Sequence, residues 1–240
     1  MKVYWLEQTQ GNVPSGDDWL SASETACQHA LRFAKRRADW TLGRWTAKRA
    51  LASHLHLPAQ PIVLAKIEIR PAASGAPEAF VDDKPAGVTI SLSHRDGRAI
   101  CAVAQSGVEL GCDLEVVESR GEAFLSDYFT AQEQALVSRA PTADQTRLVT
   151  LLWSAKESTL KALKTGLRLA TRSVIVSPES SFDVNDWSPV QARYSGGRIF
   201  HGWWRQTDNI VRTLVTNVPF GSPISLSPEA YSADRASRCA

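Results

Sequence analysis

From 108 to 117 the chain alternates without a slip. Val108, Leu110, Cys112, Leu114 and Val116 fall on one side of an extended strand, and Glu109, Gly111, Asp113 and Glu115 on the other. Such a strand needs an apolar surface to cover one face and leaves an acidic surface on the opposite one. A second feature bears on the whole chain. Trp45-Thr-Ala-Lys48 recurs as Trp153-Ser-Ala-Lys156, an offset of 108 residues, and the same offset lays the apolar run at 99–104 near that at 210–215. The echo points to two similar halves meeting near residue 107.

The surrounding pattern predicts a mixed α and β chain. Residues 24–55 read as one helical stretch ended by Pro58 and Pro61, 62–69 alternates as a strand would, and 71–87 reads as a loop. Strands are expected at 88–92 and 99–104, with Asp96-Gly97 turning between them. Residues 120–138 read as two helical pieces around Tyr128-Phe129, and 144–165 as a longer helix stopped by Gly166. Strands return at 173–176, 190–194, 200–205 and 210–217. The expected division is 1–107, 108–220 and a loose tail over 221–240.

Charge and composition exclude several classes. The 27 Lys and Arg nearly balance 25 Asp and Glu, for a net charge of +2, so a strongly basic nucleic-acid binder is not expected. No apolar run is long enough to span a membrane, and the N-terminal residues lack the apolar core of a signal peptide. Cys27, Cys101, Cys112 and Cys239 form no metal-finger spacing, and free thiols in a reducing cytosol are expected.

Four groups of residues carry chemistry. Asp113 and Glu115 share a strand face, where two carboxylates hold a cation, meet a basic partner or are solvated. Trp153, Glu157 and Lys161 recur at i+4 on one helix face, either a third oxygen donor and a phosphate contact or a surface ion pair. Ser91-Leu-Ser93-His94 ends a strand beside a turn, where hydroxyl and imidazole can donate to phosphate or merely shape the turn. Arg36, Trp40 and Arg44, with Arg37 and Lys48, stripe the basic helix with guanidinium forks and an indole, suited to phosphate or to solvent.

Taken together and in order, these residues resemble the 4'-phosphopantetheinyl transferases. Gly111-Cys-Asp113-x-Glu115 followed, after 44 residues from Asp113 to Glu157, by Trp153-Ser-x-Lys-Glu157-x-x-x-Lys161 is similar to that family's paired signature. Lys84-Pro85, Ser91-Leu-Ser-His94 and the segment 36–48 resemble its upstream elements. Asp83 stands where the family usually has glycine, and Arg95 where a small residue is common.

The resemblance is to the monomeric, surfactin-synthetase-activating type. It implies an α+β fold, a pseudodimer of two similar α/β halves with the active site between them. It implies Mg2+, with Mn2+ an alternative, held by Asp113, Glu115 and Glu157 against the pyrophosphate of coenzyme A. Lys161 and His94 would contact that pyrophosphate, and Ser93, Arg36, Arg44, Lys48 and Lys84 the phosphoadenosine. Glu133 matches the family's proposed general base for an acyl or peptidyl carrier serine. Phe124, Leu125, Tyr128 and Phe129 could dock the carrier or fill the core. The expected protein is a cytoplasmic monomer without nucleic-acid or membrane partners. A non-catalytic carrier-binding module and a metal-dependent pyrophosphate hydrolase are the alternatives.

Overall fold

The computed structural model describes residues 1–165, 168–178 and 186–227. Strand β1 (Tyr4–Thr9), absent from the sequence expectations, opens the chain, and helices α1 (Ala22–Ala30) and α2 (Ala34–His54) follow. The expected single helix is thus two. Ser21 caps α1 in a reciprocal box with Glu24, and Arg37 on α2 donates to the carbonyl of Leu31, pinning the bend between the helices at 2.8 Å.

The expected strand at 62–69 is half helix. Pro61 sets the first turn of α3 (Pro61–Leu64), and extended backbone begins only at β2 (Ile67–Pro71). The expected loop at 71–87 holds two further strands, β3 (Pro77–Val81) and β4 (Lys84–Pro85), which complete a sheet of order β2-β3-β4. Asp82 and Asp83 make the turn between them with φ of 47° and 63°. This is the left-handed region, which Asp tolerates better than most residues, so Asp83 fills a glycine's conformational role.

β5 (Val88–Arg95) and β6 (Arg98–Gln105) form the expected hairpin, turned by Asp96 and Gly97 at φ of 50° and 67°. The alternating segment becomes β7 (Leu110–Val116). Then come α4 (Glu122–Tyr128), α5 (Ala131–Arg139), α6 (Thr142–Ala162), β8 (Val174–Pro178), β9 (Ser188–Tyr194), β10 (Ile199–Thr207), β11 (Ile210–Thr216) and β12 (Ile224–Ser225). Gly166, read as the stop of the long helix, lies outside the described residues, as do 228–240.

Two larger sheets carry the two long helices. One has the order β12-β1-β6-β5 with α2 against it, and the other β7-β11-β10-β9-β8 with α6 against it. Residues 221–227 are no loose tail, because β12 pairs in parallel with β1, Tyr4 opposite Ile224. Each helix has its own core, and a third cluster, with Ile100, Leu110, Leu114, Ile210 and Leu214, fills the seam between the sheets.

The alternation of β7 is satisfied at that seam. Leu110, Cys112 and Leu114 enter it, while Gly111, Asp113 and Glu115 face α6 rather than solvent. Gly111 permits the approach, since a Cβ there would lie 1.7 Å from the carbonyl oxygen of Ser158. Among the described residues no helix is long and apolar enough to cross a membrane. Cys27, Cys101 and Cys112 are free thiols, and Cys239 lies outside the described residues.

Candidate active site

The acidic face of β7 and the facing side of α6 bring four of the expected residues together. Lys161 Nζ donates to Asp113 Oδ1 at 2.8 Å, to Ser93 Oγ at 2.8 Å and to the Cys112 carbonyl at 3.1 Å. Ser93 Oγ donates in turn to Asp113 Oδ1 at 2.7 Å. Burial works against the Lys161 charge, but Asp113, Cys112 and Glu157 outweigh it and raise its pKa. The ammonium therefore stays protonated across the neutral range.

Glu115 is held from three sides. Trp153 Nε1 donates to it at 3.1 Å, Arg120 at 3.2 Å, and Arg95 lies 3.7 Å away. Arg95 and Arg120, which the sequence reading did not assign, are thus counter-charges of this cluster. Burial and then Asp113 nevertheless raise the Glu115 pKa. Glu157 makes no hydrogen bond among the described residues. Burial, followed by Asp113 and with Lys161 opposing, pushes its carboxyl up to about 7.

The described residues contain no ready-made cluster of three metal-ligating side chains. Asp113 and Glu115 instead turn toward Lys161 and Arg120, as repelling carboxylates do when basic groups are within reach. The donor chemistry still suits a hard divalent cation. Asp113 Oδ2 is buried without a hydrogen-bond partner, and the half-buried Glu157 makes no hydrogen bond among the described residues. An oxygen-seeking ion answers both deficits.

His94, three residues after the buried Ser91 whose hydroxyl accepts from Cys112 N at 3.0 Å, opens onto a cavity of about 440 Å³. Lys35, Arg36, Asp39 and Trp40 of α2 line it with His94. The cavity is cationic, with Lys35 and Arg36 outnumbering Asp39. Desolvation lowers the His94 pKa and outweighs the attraction of Asp39. A larger groove of about 930 Å³ runs past the other ends of β5 and β7, and Pro85, Leu92 and Lys161 are among its walls. Charge makes the smaller cavity the better phosphate site. Lys84 itself is exposed on β4.

Three expected site residues lie elsewhere. Lys48 is fully buried within the first sheet's core, where it donates to the carbonyls of Trp19 and Leu64 and pairs with Glu24 at 2.5 Å. No substrate phosphate can reach it. Arg44 is held between Glu24, at 3.7 Å, and the face of Trp40, at 4.7 Å, so it supports the cavity wall rather than lining the cavity.

Glu133 is the third, and the general-base expectation does not survive its placement. It is 1% exposed, and its carboxylate accepts from Thr130 N, Thr130 Oγ1 and Val176 N and pairs with Lys156 at 2.8 Å. Every lone pair facing a donor is used, and no path leads to an acceptor serine. The chain signalled this in advance, because Thr130-x-x-Glu133 and Ser21-x-x-Glu24 are both capping boxes ahead of the repeated Trp-x-Ala-Lys. Phe129 is core, Phe124 and Leu125 pack against it, and Tyr128 remains partly exposed.

Residues 109–217, from the start of β7 to the end of β11, match the family model of the 4'-phosphopantetheinyl transferase superfamily. That stretch, which is similar to this superfamily's domain, carries Asp113, Glu115, Glu157 and Lys161. Among solved structures, the holo-[acyl-carrier-protein] synthase (AcpS) of Thermotoga maritima is similar, at 22% identity over 54% of this chain and 74% of that chain. Its TM-score of 0.33 is too low to bear on the argument. No curated protein matches the sequence.

Proposed function

We propose that the chain transfers the 4'-phosphopantetheine arm of coenzyme A to a serine of an apo acyl or peptidyl carrier protein, releasing adenosine 3',5'-bisphosphate. The observation that carries this reading is the junction of two sites. A carboxylate cluster with a fixed ammonium, Asp113, Glu115, Glu157 and Lys161, adjoins the cationic cavity of Lys35, Arg36 and His94. A pyrophosphate attached to a further phosphate needs both.

Magnesium, or manganese, bound by Asp113, Glu115 and Glu157 would supply neutralisation of charge on the pyrophosphate oxygens. Lys161 adds a second positive charge held in place by Asp113 and Ser93, so little reorganisation is needed when negative charge grows. Arg36 and His94 bind the phosphoadenosine end. The serine oxygen attacks the β-phosphorus, and the bond to the departing bisphosphate oxygen breaks. Glu157, which makes no hydrogen bond among the described residues, would hold the ion through one carboxylate oxygen and take the serine proton on the other.

We further assign the chain to the monomeric, pseudodimeric type, acting in the cytoplasm. Support comes from the duplicated capping box, buried Glu–Lys pair and long helix in each larger layer. The test is incubation with coenzyme A, magnesium and a panel of apo-carriers, read by intact carrier mass. Gain of one phosphopantetheine that requires metal establishes the reaction. Coenzyme A cleavage without carrier would instead make the protein a pyrophosphate hydrolase, and binding without product a carrier-binding module.

A further inference from the structure

On the side of β10 and β11 turned away from α6, positive charge is left over. Arg205 and Arg212 are direct cross-strand partners, so their side chains share one face. That face meets the seam, as Leu214, two residues beyond Arg212, shows by its place in the seam cluster. Like charges directly opposite each other are destabilising unless something negative lies between them.

One carboxylate partly answers the need. Glu7 of β1 accepts from Arg212 through both Nε and Nη2, the latter at 2.8 Å, and from Arg98 Nη1 at 3.2 Å. Arg212 also donates to Thr207 Oγ1 at 2.7 Å, so its fork is fully engaged. Arg205 has no hydrogen bond or ion pair among the described residues, and its Nε is buried. The indole Nε1 of Trp5 is likewise buried without an acceptor. All these groups line one cavity of about 290 Å³. Within it, three guanidiniums face a single carboxylate.

We propose that this cavity is a binding site for a tetrahedral oxyanion of the phosphate class, held chiefly by Arg205 and Arg98. Guanidinium forks match phosphate oxygens two at a time, and an anion placed there removes the Arg205–Arg212 repulsion. It also supplies an acceptor for the buried donors on Arg205 and Trp5. The site is separate from the carboxylate cluster, which faces α6, and does not depend on the transferase reading. Inorganic phosphate and a phosphate monoester share the required chemistry.

Thermal unfolding of the full chain in EDTA, in phosphate against chloride at equal ionic strength, tests the site. Wild type is expected to gain melting temperature saturably with phosphate. Arg205→Gln should weaken the apparent phosphate affinity at least ten-fold, while Arg139→Gln, at an exposed position of α5 that lines neither cavity, keeps the response. Arg205→Lys, which retains charge but loses the fork, should also fall well below wild type and serves if the Gln variant does not fold. Replacing phosphate by glycerol phosphate separates the sources: an equal response means that esters enter, and a lost response restricts the site to the free anion. A wild-type response no greater than in chloride, or Arg205 variants that respond as wild type does, would overturn the proposal.

Discussion

Glu133 Oε2 lies 2.8 Å from Lys156 Nζ, and Glu24 Oε2 lies 2.5 Å from Lys48 Nζ in the same arrangement. Each glutamate closes a capping box at a helix start, accepts a backbone N–H from the strand after its long helix, Val176 or Ile69, and neutralises a buried lysine. Glu24 does this remote from the carboxylate cluster. The shared geometry makes both pairs clamps that fix a long helix against its sheet. Burial lowers the pKa of both lysines, and their glutamates oppose that fall.

Glu133→Gln and Glu24→Gln should therefore destabilise the protein to a similar extent. Breaking a buried ion pair by removing one charge costs about 3–5 kcal/mol. Urea unfolding measures the loss. The remaining folded Glu133→Gln protein should keep the wild-type shape of its pH–rate profile. A normal melting curve with a large selective fall in kcat would restore the glutamate as a base.

Gly111→Ala should be damaging although it adds only one methyl group. The new Cβ would collide with the Ser158 carbonyl, and α6 backbone cannot yield as a flexible side chain can. Overpacking of this kind costs about 1–3 kcal/mol, and here it also moves Glu157 and Lys161 away from Asp113. Transfer activity should drop more than stability does, as paired activity and denaturation measurements would reveal.

Glu157→Gln should separate stability from activity. In the metal-free fold the Glu157 carboxyl titrates at about 7, above its ordinary value of 4.5, mainly because of burial. The native state thus binds more protons than the unfolded chain in that interval, so the glutamate's contribution to stability is lost as pH rises from about 4.5 through 7. In EDTA the variant should lack this fall and melt higher than wild type at pH 8, yet transfer no phosphopantetheine. Magnesium should close the melting gap by raising wild type alone. Parallel melting curves across pH, with and without metal, decide this.

Arg36 and Arg44 should part company. Arg36→Ala removes a cavity-lining charge, and a charge-assisted phosphate contact is worth about 1.5–3 kcal/mol, or roughly ten-fold or more in coenzyme A affinity. Arg44→Ala strips a partner from Glu24 and a cation from the Trp40 face, so it should lower the melting temperature first. Calorimetric titration with coenzyme A, beside thermal unfolding, distinguishes the two.

What the sequence disclosed depended on whether a residue's role was set locally. The period of β7 placed Asp113 and Glu115 together, and i+4 spacing placed Glu157 and Lys161 on one face of α6. Both are short-range rules. The sequence alone left open whether that acidic face met solvent or protein, because only the packing of α6 over Gly111 decides it. Lys48 and Glu133 misled for a related reason. A charged residue on a helix reads as accessible, and its burial depends on a partner more than twenty residues away. Strands β3 and β4 were hidden by turn-forming Asp82 and Asp83, and β1 and β12 by their distance from each other in the chain.

The parallel pairing of Ile224 with Tyr4 has a mechanical consequence. The two large sheets are stitched twice, once by the turn at 106–109 and again by the chain's return from β11 to the outer edge beside β1. Cutting the first stitch would leave the second intact, and the fragments would stay associated through β12. Separating the two sheets as rigid layers would therefore strain two chain connections at once and pull on the β1–β12 pairing.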